Sequence, residues 1–302
     1  MAAVAQATTS SRPWLPVAAL VILTIIWGVT WVIAKQGLAY APPFAFAADR
    51  AFCAALALLI LLKISGRPMQ LMAPGLTIVI SLLQVTASLS LQTWALTSGG
   101  AGKTAVLVFT MPLWTLLLSW PILGERIRGG QWLAAFSTLG GLLLIIEPWA
   151  IHDGLFGNFL GVLAALCWAV GTLLIKRYRS RLNADVLVFT TWQIVLGSLP
   201  LLFLSAIIPE RTTDWSLAYI GILVFIALVS FSFCWLLWLY VLDRLPAWEA
   251  GLSLLGTPVV ALVSSRLVLG EAFKPTETAG ILLISTGLAL LSLIGWYSSR
   301  RA

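Results

Sequence analysis

Ten long apolar segments follow one another along the chain, separated by short stretches of charged and turn-forming residues. A helix needs about 20 apolar residues to cross a bilayer, whereas a strand of a membrane barrel needs only about 9–11 alternating ones. Because these segments are long and continuous, they predict membrane-spanning helices. Their approximate limits are residues 15–34, 43–62, 73–97, 103–123, 131–147, 157–176, 185–207, 215–242, 247–269 and 277–297.

The composition agrees with this prediction and excludes a soluble fold. Of the 302 residues, 60% are apolar and 10% are charged, whereas roughly 25% are charged in an ordinary soluble domain. A soluble fold of this composition would expose apolar side chains over its whole surface and would aggregate. The sequence therefore predicts an all-α integral membrane protein that is embedded in the lipid bilayer and has no separate soluble domain.

The positive charges set the expected orientation in the membrane. The chain carries 18 Lys and Arg residues and a net charge of +7, and most of these residues lie between spans. If the N-terminus is cytoplasmic, twelve of the 18 lie on the cytoplasmic side, as the positive-inside rule requires. We therefore expect a protein of the cell inner membrane with both termini in the cytoplasm, and we expect no nucleic-acid partner.

The two halves of the chain share a pattern of residues. Each half has a proline that is followed twelve and thirteen residues later by a Gly-Glu pair. These motifs are Pro112 with Gly124-Glu125 and Pro258 with Gly270-Glu271, at an offset of 146 residues. Earlier in each half, a tryptophan precedes a lysine by eight residues, in the pairs Trp27–Lys35 and Trp168–Lys176, at an offset of 141. The pattern predicts a leader (1–14), a first repeat (15–150), a second repeat (151–297) and a tail (298–302), with the leader and the tail cytoplasmic.

Each repeat contains five predicted spans, and this odd number predicts that the two repeats lie inverted in the membrane. Inverted repeats occur chiefly in transporters, whose substrate site lies near the bilayer midplane between the halves. Two nearly equivalent packings, each open to one side, can then exchange around that site. The repeat therefore predicts a transporter that works by alternating access.

These motifs resemble the EamA branch of the drug/metabolite transporter superfamily over about residues 15–297. The length and the tryptophan-rich spans are also similar to the bacterial aromatic amino-acid exporters of the YddG type. The resemblance implies ten helices around a central cavity, with the fifth and tenth at the periphery. It implies export of aromatic and other neutral amino acids or similar metabolites. Export of another small metabolite or drug, or carriage of a nucleotide sugar or sugar phosphate, stays open as an alternative.

Polar and aromatic side chains inside the spans are candidates for the substrate cavity. The polar side chains of the third span recur every four residues, so they lie on one helix face. We expect this face to point away from lipid. The offset of 146 residues maps it onto the eighth span. Tryptophans at matching positions of the first and sixth spans are suited to stacking on an aromatic ligand. The alternative is structural, with helix–helix hydrogen bonds for the polar residues and packing for the indoles. The candidates are Trp27, Trp31, Gln84, Ser88, Gln92, Trp168, Thr172, Ser230, Cys234 and Trp238.

Four further residues are candidates for hinges and gates. Pro112 and Pro258 each remove a backbone donor in the middle of a span, which predicts a kink or a broken helix. Trp94 and its counterpart Tyr240 lie near the ends of their spans. There they either gate the pathway or anchor the helices at the membrane interface.

Charge inside the spans is scarce. Asp49 and Arg50 are the only charged pair well inside a span, and successive helical residues do not face each other, so we expect separate partners for them. Arg50 either has a functional role or snorkels toward the outer interface. Glu125 and Glu271 recur at helix ends, where we expect each to tether a helix by accepting backbone N–H groups or a neighbouring cation.

The same scarcity bears on the function. Apart from Asp49, no Asp, Glu or His occupies the centre of a span, which disfavours obligatory proton coupling and favours a neutral, zwitterionic and partly apolar substrate. An intramembrane enzyme would need a nucleophile–base pair or a metal constellation, and the chain has a single histidine, His152, between spans. We therefore expect a monomeric transporter of a small-molecule substrate, with no catalytic residues, no metal and no cofactor.

Overall fold

The computed structural model describes residues 14–124, 127, 129–147, 149, 154–182, 185–234, 237 and 256–299. We number its apolar helices in chain order as α1 (Trp14–Gly37), α2 (Pro43–Ile64), α3 (Pro74–Ser98), α4 (Ala101–Leu123), α5 (Gly130–Ile146), α6 (Leu155–Arg177), α7 (Val186–Ile207), α8 (Leu217–Phe233), α9 (Gly256–Leu269) and α10 (Pro275–Ser299). Among the described residues, α1 to α4, α6 and α7 are long and apolar enough to cross a membrane, and the other four contain shorter apolar stretches. A single helical turn, Arg179–Leu182, follows α6.

Three of these helices are irregular. A π-helical segment, Leu82–Ala87, lies within α3, and a second one, Phe225–Phe233, follows the α-helical part of α8, Leu217–Val224. Such segments are uncommon and are often found at functional sites. The helix α4 consists of two α-helical parts, Ala101–Val108 and Met111–Leu123. The predicted interruption near Pro112 is thus present, and Pro112 lies in the first turn of the second part, where its missing N–H has no intrahelical acceptor to lose.

The glycines of the two Gly-Glu motifs end their helices. Gly124 follows α4 and Gly270 follows α9, with φ angles of 75° and 68°. This left-handed conformation is unfavourable for other residues and is a common way for a helix to end.

Small residues allow the helices to pack closely. Along α2, the buried alanines Ala47, Ala51 and Ala54 pack in one cluster with Leu187 and Leu201 of α7. In lipid, helix association depends on close van der Waals contact and hydrogen bonds, because the surrounding acyl chains are as apolar as the side chains. The outward faces of the helices carry exposed apolar side chains, such as Ile64 and Leu217, as lipid contact requires.

The described charged residues that form contacts cluster at two ends of the helices. The end that we call the Lys35 end contains Lys35, Lys103, Glu147, Glu210, Arg211, Glu271, Lys274 and Glu277, and the end that we call the Lys176 end contains Arg67, Lys176, Arg177 and Asp185. Between these ends, the contacts of the described residues include apolar, hydroxyl, amide and indole ones, and also those of the charged residues Asp49 and Arg50.

Candidate functional site

A buried amide, Gln84, connects three helices. It lies in the π-helical segment of α3, and its side chain is 5% exposed. Its Nε2 donates to the carbonyl oxygen of Trp168 (3.1 Å) and to Oγ1 of Thr172 (3.0 Å) on α6, and its Oε1 accepts from Nε2 of Gln193 on α7 (2.6 Å). Because most of its hydrogen-bonding capacity is used, Gln84 holds α3, α6 and α7 together.

The polar face predicted on α3 lies against α6. Ser88 Oγ donates to the carbonyl oxygen of Ala164 (3.2 Å), and Gln92 Nε2 donates to Ser88 Oγ (2.9 Å). At Gly171 on α6, a side chain would overlap that of Gln84. The sequence pattern therefore identified an inward-facing surface, and in this conformation a neighbouring helix covers it.

A second set of contacts joins α1 to the π-helical segment of α8. Trp27 Nε1 donates to the carbonyl oxygen of Ser230 (2.9 Å), and Thr30 Oγ1 lies 2.9 Å from Ser230 Oγ. One turn along α1, Trp31 packs edge-on against Phe109, with 6.4 Å between ring centroids. Two of the predicted tryptophan positions are therefore at helix contacts.

A cavity of about 230 Å³ lies beside the Gln84 contacts. Its lining consists of Pro112, Thr115, Leu116 and Ser119 of α4, Thr172, Leu173 and Lys176 of α6, and Leu291 of α10. Thr172 belongs to both the cavity and the Gln84 contacts, and Lys176 also borders a wider pocket of about 720 Å³ at the Lys176 end. The cavity is smaller than the roughly 300–1,000 Å³ typical of sites for drug-sized ligands.

The predicted site residues are thus distributed over several places. Thr172 and the predicted hinge Pro112 line the cavity, whereas the polar face of α3 and the Trp27–Ser230 pair lie at the helix contacts described above. Cys234 is fully buried next to the π-helical segment of α8. The indole of Trp94 packs edge-on against Phe44 at 5.8 Å. Trp238, Tyr240 and Glu125 lie outside the described residues, and Pro258 is buried near the start of α9.

At the Lys35 end, charged side chains hold the turn between α3 and α4. The Glu271 carboxylate accepts hydrogen bonds from the backbone N–H groups of Ala101 (2.6 Å) and Gly102 (3.2 Å), where α4 begins. Lys35 Nζ donates to the carbonyl oxygen of Gly99 (2.9 Å), just after α3 ends. A carboxylate at a helix N-terminus and an ammonium at a C-terminus both complement the helix dipole, so this turn is stabilised from both sides.

Other charged side chains at the Lys35 end also hold the ends of helices. Lys103 pairs with Glu277 (2.8 Å) and Lys274 with Glu147 (3.3 Å), which ties α10 to α4 and α5. Glu210 accepts from two N–H groups in the first turn of α2, and Arg211 donates to the carbonyl groups that follow α1. The ends of several helices are therefore closed by side chains from other parts of the chain.

Asp49 and Arg50 have separate partners, as their adjacent positions predict. The Tyr219 hydroxyl donates to Asp49 Oδ2 (2.6 Å), and Arg50 Nη2 donates to Thr93 Oγ1 (2.8 Å). Arg50 is only 5% exposed. It therefore does not snorkel toward the interface.

Several residues of the site were not predicted from the sequence, Gln193 and Lys176 among them. Gln193, a polar amide inside an apolar span, could have been found by the criterion that selected Gln84. Lys176 was treated only as a charge that orients the chain, and no sequence pattern shows that it borders a cavity. Its position depends on how α6 packs against α4.

Comparison with known proteins identifies related chains. A model of the EamA-like transporter family matches residues 14–147 and again residues 155–293. The "Uncharacterized transporter YoaV" of Bacillus subtilis (strain 168) is 29% identical over 275 residues, which are 89% of this chain and 94% of that protein. The "Probable amino-acid metabolite efflux pump" of Escherichia coli (strain K12) is 27% identical over 277 residues, covering 88% of this chain and 91% of that protein.

The fold is also shared with a solved crystal structure. That structure is similar with a TM-score of 0.63 over 92% of this chain and 97% of that one, at 16% sequence identity. At so low an identity, the similarity concerns the fold alone.

Proposed function

Because the chain belongs to the EamA-like transporter family and is a multi-pass membrane protein, we propose that it exports amino acids, aromatic and other neutral ones among them. The proposed mechanism is alternating access between two inverted five-helix repeats, residues 15–150 and 151–297, which together form a ten-helix monomer. We place the protein in the cell inner membrane with both termini in the cytoplasm.

The observation that carries this proposal is a pair of matching contacts between the halves. Gln84 of α3 bonds to Trp168 of α6, and Trp27 of α1 bonds to Ser230 of α8. Trp27 and Trp168 correspond at the offset of 141, and Gln84 and Ser230 correspond at the offset of 146. In both contacts, the third helix of one repeat meets the first helix of the other within a π-helical segment. A two-fold axis would relate such reciprocal contacts, which supports the inverted repeat.

The contact between α5 and α10 supports the same symmetry. A side chain at Gly141 would meet Ile284, and a side chain at Gly287 would meet Thr138. Gly141 corresponds to Gly287, and Thr138 to Ile284, at the offset of 146. The contact is therefore reciprocal, as expected for the fifth helices of two copies that lie across a pseudo-two-fold axis.

The position of the cavity supports a conformation that is open to one side. Among the described residues, the cavity leads toward the Lys176 end, and charged side chains close the turn between α3 and α4 at the Lys35 end. The positive-inside rule places the Lys176 end in the cytoplasm, so this conformation would take up substrate from the cytoplasm. Rocking of one repeat against the other would then close the Lys176 end and open the Lys35 end.

The cavity lining supports a small amphipathic substrate. Thr115, Ser119 and Thr172 supply hydroxyl groups, while leucines supply an apolar wall and Lys176 supplies a positive charge toward the opening. A neutral amino acid has a carboxylate, an ammonium group and an apolar side chain, and so it matches each of these surfaces. The name of the Escherichia coli relative, an amino-acid metabolite efflux pump, agrees with this substrate class.

Counterflow in liposomes tests the proposal directly. The purified full chain is reconstituted into vesicles loaded with unlabelled amino acid, and uptake of labelled tryptophan, phenylalanine, methionine or threonine is measured. We expect accumulation of at least one of these amino acids above protein-free vesicles. Absence of counterflow for all four would refute the amino-acid assignment, and uptake of a sugar phosphate or nucleotide sugar instead would favour the alternative substrate class.

Two variants test whether the Gln84 contacts belong to the transport pathway. Gln84→Ala removes an amide that makes three hydrogen bonds, and Thr172→Val removes a hydroxyl shared with the cavity. We expect counterflow to fall about tenfold in each, the size expected of one buried hydrogen-bonding group left without its partner. Gln36→Ala is the matched control because Gln36 is exposed at the end of α1. Unchanged flux in folded Gln84→Ala and Thr172→Val proteins would contradict this assignment.

A further inference from the structure

A buried arginine on α2 has an unused hydrogen-bond donor. Arg50 is 5% exposed, and its Nη2 donates to Thr93 Oγ1 (2.8 Å) and to the carbonyl oxygen of Leu89 (3.4 Å) on α3. Its guanidinium carbon lies 5.2 Å from the ring centroid of Phe46. These contacts fix the orientation of the guanidinium, but its Nε has no hydrogen-bond partner.

No carboxylate forms an ion pair with Arg50 in the described part of the chain. Asp49 is the next residue, but its Oδ2 accepts from the Tyr219 hydroxyl (2.6 Å). A charged side chain inside a membrane protein is expensive and is usually paired or functional. A buried donor without an acceptor adds to this cost, so the site favours an anionic group.

A second unused donor lies on the same helix pair. The indole Nε1 of Trp94, the residue after Thr93 on α3, is buried and has no hydrogen-bond partner. The ring of Trp94 packs against Phe44 of α2. Each of the two helices therefore contributes an unused N–H donor, Arg50 Nε on α2 and Trp94 Nε1 on α3, and an aromatic ring of α2 packs against each of these residues.

We infer that Arg50 is a binding residue for the carboxylate of the transported amino acid, and that the neighbouring aromatic rings pack against its side chain. The inference rests on the proposed function and narrows it to solutes that carry a carboxylate and an apolar group. A guanidinium forms short, charge-assisted hydrogen bonds with a carboxylate. A bound carboxylate would accept a hydrogen bond from the free Nε–H of Arg50 and would also neutralise its buried charge. The hydroxyl of Thr93 and the carbonyl group of Leu89 do neither.

The position of Arg50 agrees with a site on the exit side of the pathway. Arg50 lies seven residues after Pro43, or about 10 Å along α2 from its start, which is in the third of the helix nearest the Lys35 end. The cavity bordered by Lys176 lies toward the opposite end. A substrate that enters at the Lys176 end would therefore reach Arg50 as α2 and α3 separate during opening of the Lys35 end.

Ligand-dependent thermal stabilisation of the full chain in detergent tests the inference, since a ligand that binds the folded state raises its stability. The probes are phenylalanine, 3-phenylpropionate, which keeps the carboxylate, and phenethylamine, which lacks it. We expect phenylalanine and 3-phenylpropionate to stabilise the wild-type chain, and phenethylamine to bind about 10- to 100-fold more weakly than phenylalanine, the range expected for a charge-assisted hydrogen bond. Equal binding of phenylalanine and phenethylamine by the wild-type chain would overturn the inference without any variant.

Variants then locate the effect at Arg50. In Arg50→Gln, the preference for phenylalanine over phenethylamine should disappear. Thr93→Val, which keeps the guanidinium but removes one of its anchors, should reduce the preference only severalfold and remains informative if Arg50→Gln does not fold. Arg67→Gln is the matched control, because Arg67 is exposed at the other end of the molecule. An equal loss of affinity for both ligands in Arg50→Gln and in Thr93→Val would mean that Arg50 only supports the helix packing.

The binding assay separates this inference from the proposed function. Carboxylate-selective binding that depends on Arg50, without counterflow of any amino acid, would refute amino-acid export and leave the Arg50 site standing. Counterflow of phenylalanine with a KM unchanged in Arg50→Gln would support export and overturn the Arg50 site.

Discussion

Replacing Gly141 by alanine tests the close packing of α5 against α10. A Cβ atom at this position would lie 2.5 Å from the carbonyl oxygen of Gly280 and 2.9 Å from the backbone nitrogen of Ile284. Both of these are backbone atoms that cannot rotate away. Because non-bonded carbon contacts are optimal at about 3.5–4.0 Å, the two helices would have to separate by roughly 1 Å. Overpacking of this kind reduces the free energy of unfolding by about 1–3 kcal/mol.

Gly140 provides a matched control for this prediction, because a Cβ atom there would meet no heavy atom within 4 Å. Both replacements gain the same helix propensity, about 1 kcal/mol for Gly to Ala, so the difference between the two variants isolates the overpacking. We expect Gly141→Ala to unfold at least about 2 °C below Gly140→Ala in a thermal-shift assay in detergent. Equal unfolding temperatures, or a higher temperature for Gly141→Ala, would refute the backbone-to-backbone contact.

Two further predictions concern the ends of the molecule. Glu271→Gln replaces the charged cap on α4 by a neutral one, so we expect the Lys35 end to open more often. A membrane-impermeant maleimide should then label a cysteine introduced at Thr104, a buried position near the start of α4, several times faster. An unchanged labelling rate would contradict the capping role. At the Lys176 end, burial by itself raises the pKa of the Asp185 carboxyl group. Hydrogen bonds from Arg67 and from the Leu187 N–H, together with the positive charge of Arg67, have a larger effect and hold this pKa below its usual value. The contact between Arg67 and Asp185 therefore stabilises the fold above the unfolded-state pKa of about 3.9, and this stabilisation is lost as the pH falls through the folded-state pKa. When unfolding temperatures are measured between pH 6 and 3, the wild-type chain should show a small extra decrease that is absent in Arg67→Gln.

The long helices were predictable because their physical cause is local. The predicted span 43–62 corresponds to Pro43–Ile64, and the predicted span 185–207 corresponds to Val186–Ile207. In each case, a predominantly apolar run begins after a turn or charged residue, and in lipid such a run must satisfy its backbone hydrogen bonds internally. The interruption of α4 was also predictable, because a proline lacks the N–H donor and its ring clashes with the carbonyl group four residues earlier, here that of Val108, where the first part of α4 ends.

The π-helical segments and the hydrogen-bond partners were not predictable, because they depend on which helices become neighbours. No residue in Leu82–Ala87 distinguishes a π-helix from an α-helix. The four-residue spacing of Gln84 and Ser88 correctly indicated an inward face, but spacing alone cannot decide whether that face meets a cavity or another helix. The bond from Gln193 to Gln84 depends on the packing of α7 against α3.

The placement of charge constrains the energetics of the proposed cycle. Opening the Lys35 end would break the contacts of Glu271 with α4 and of Lys35 with the end of α3, and hydrogen bonds to charged groups contribute about 1.5–3 kcal/mol each. If nothing replaced these contacts, the chain would remain in one conformation, because two states exchange readily only when their free energies differ by a few kcal/mol. The residues that correspond to Lys35 and Glu271 at the two offsets are Lys176 and Glu125, so the proposed inverted repeat would provide the same pair of charges, one from each copy, for the opposite end. An inverted repeat that conserves its charges at helix ends can exchange one set of caps for the other, whereas a charge fixed in the middle of the membrane would favour one state. The charge of Arg50 is compatible with such a cycle only if a group that binds and dissociates in each transport event neutralises it. The carboxylate of a substrate is such a group.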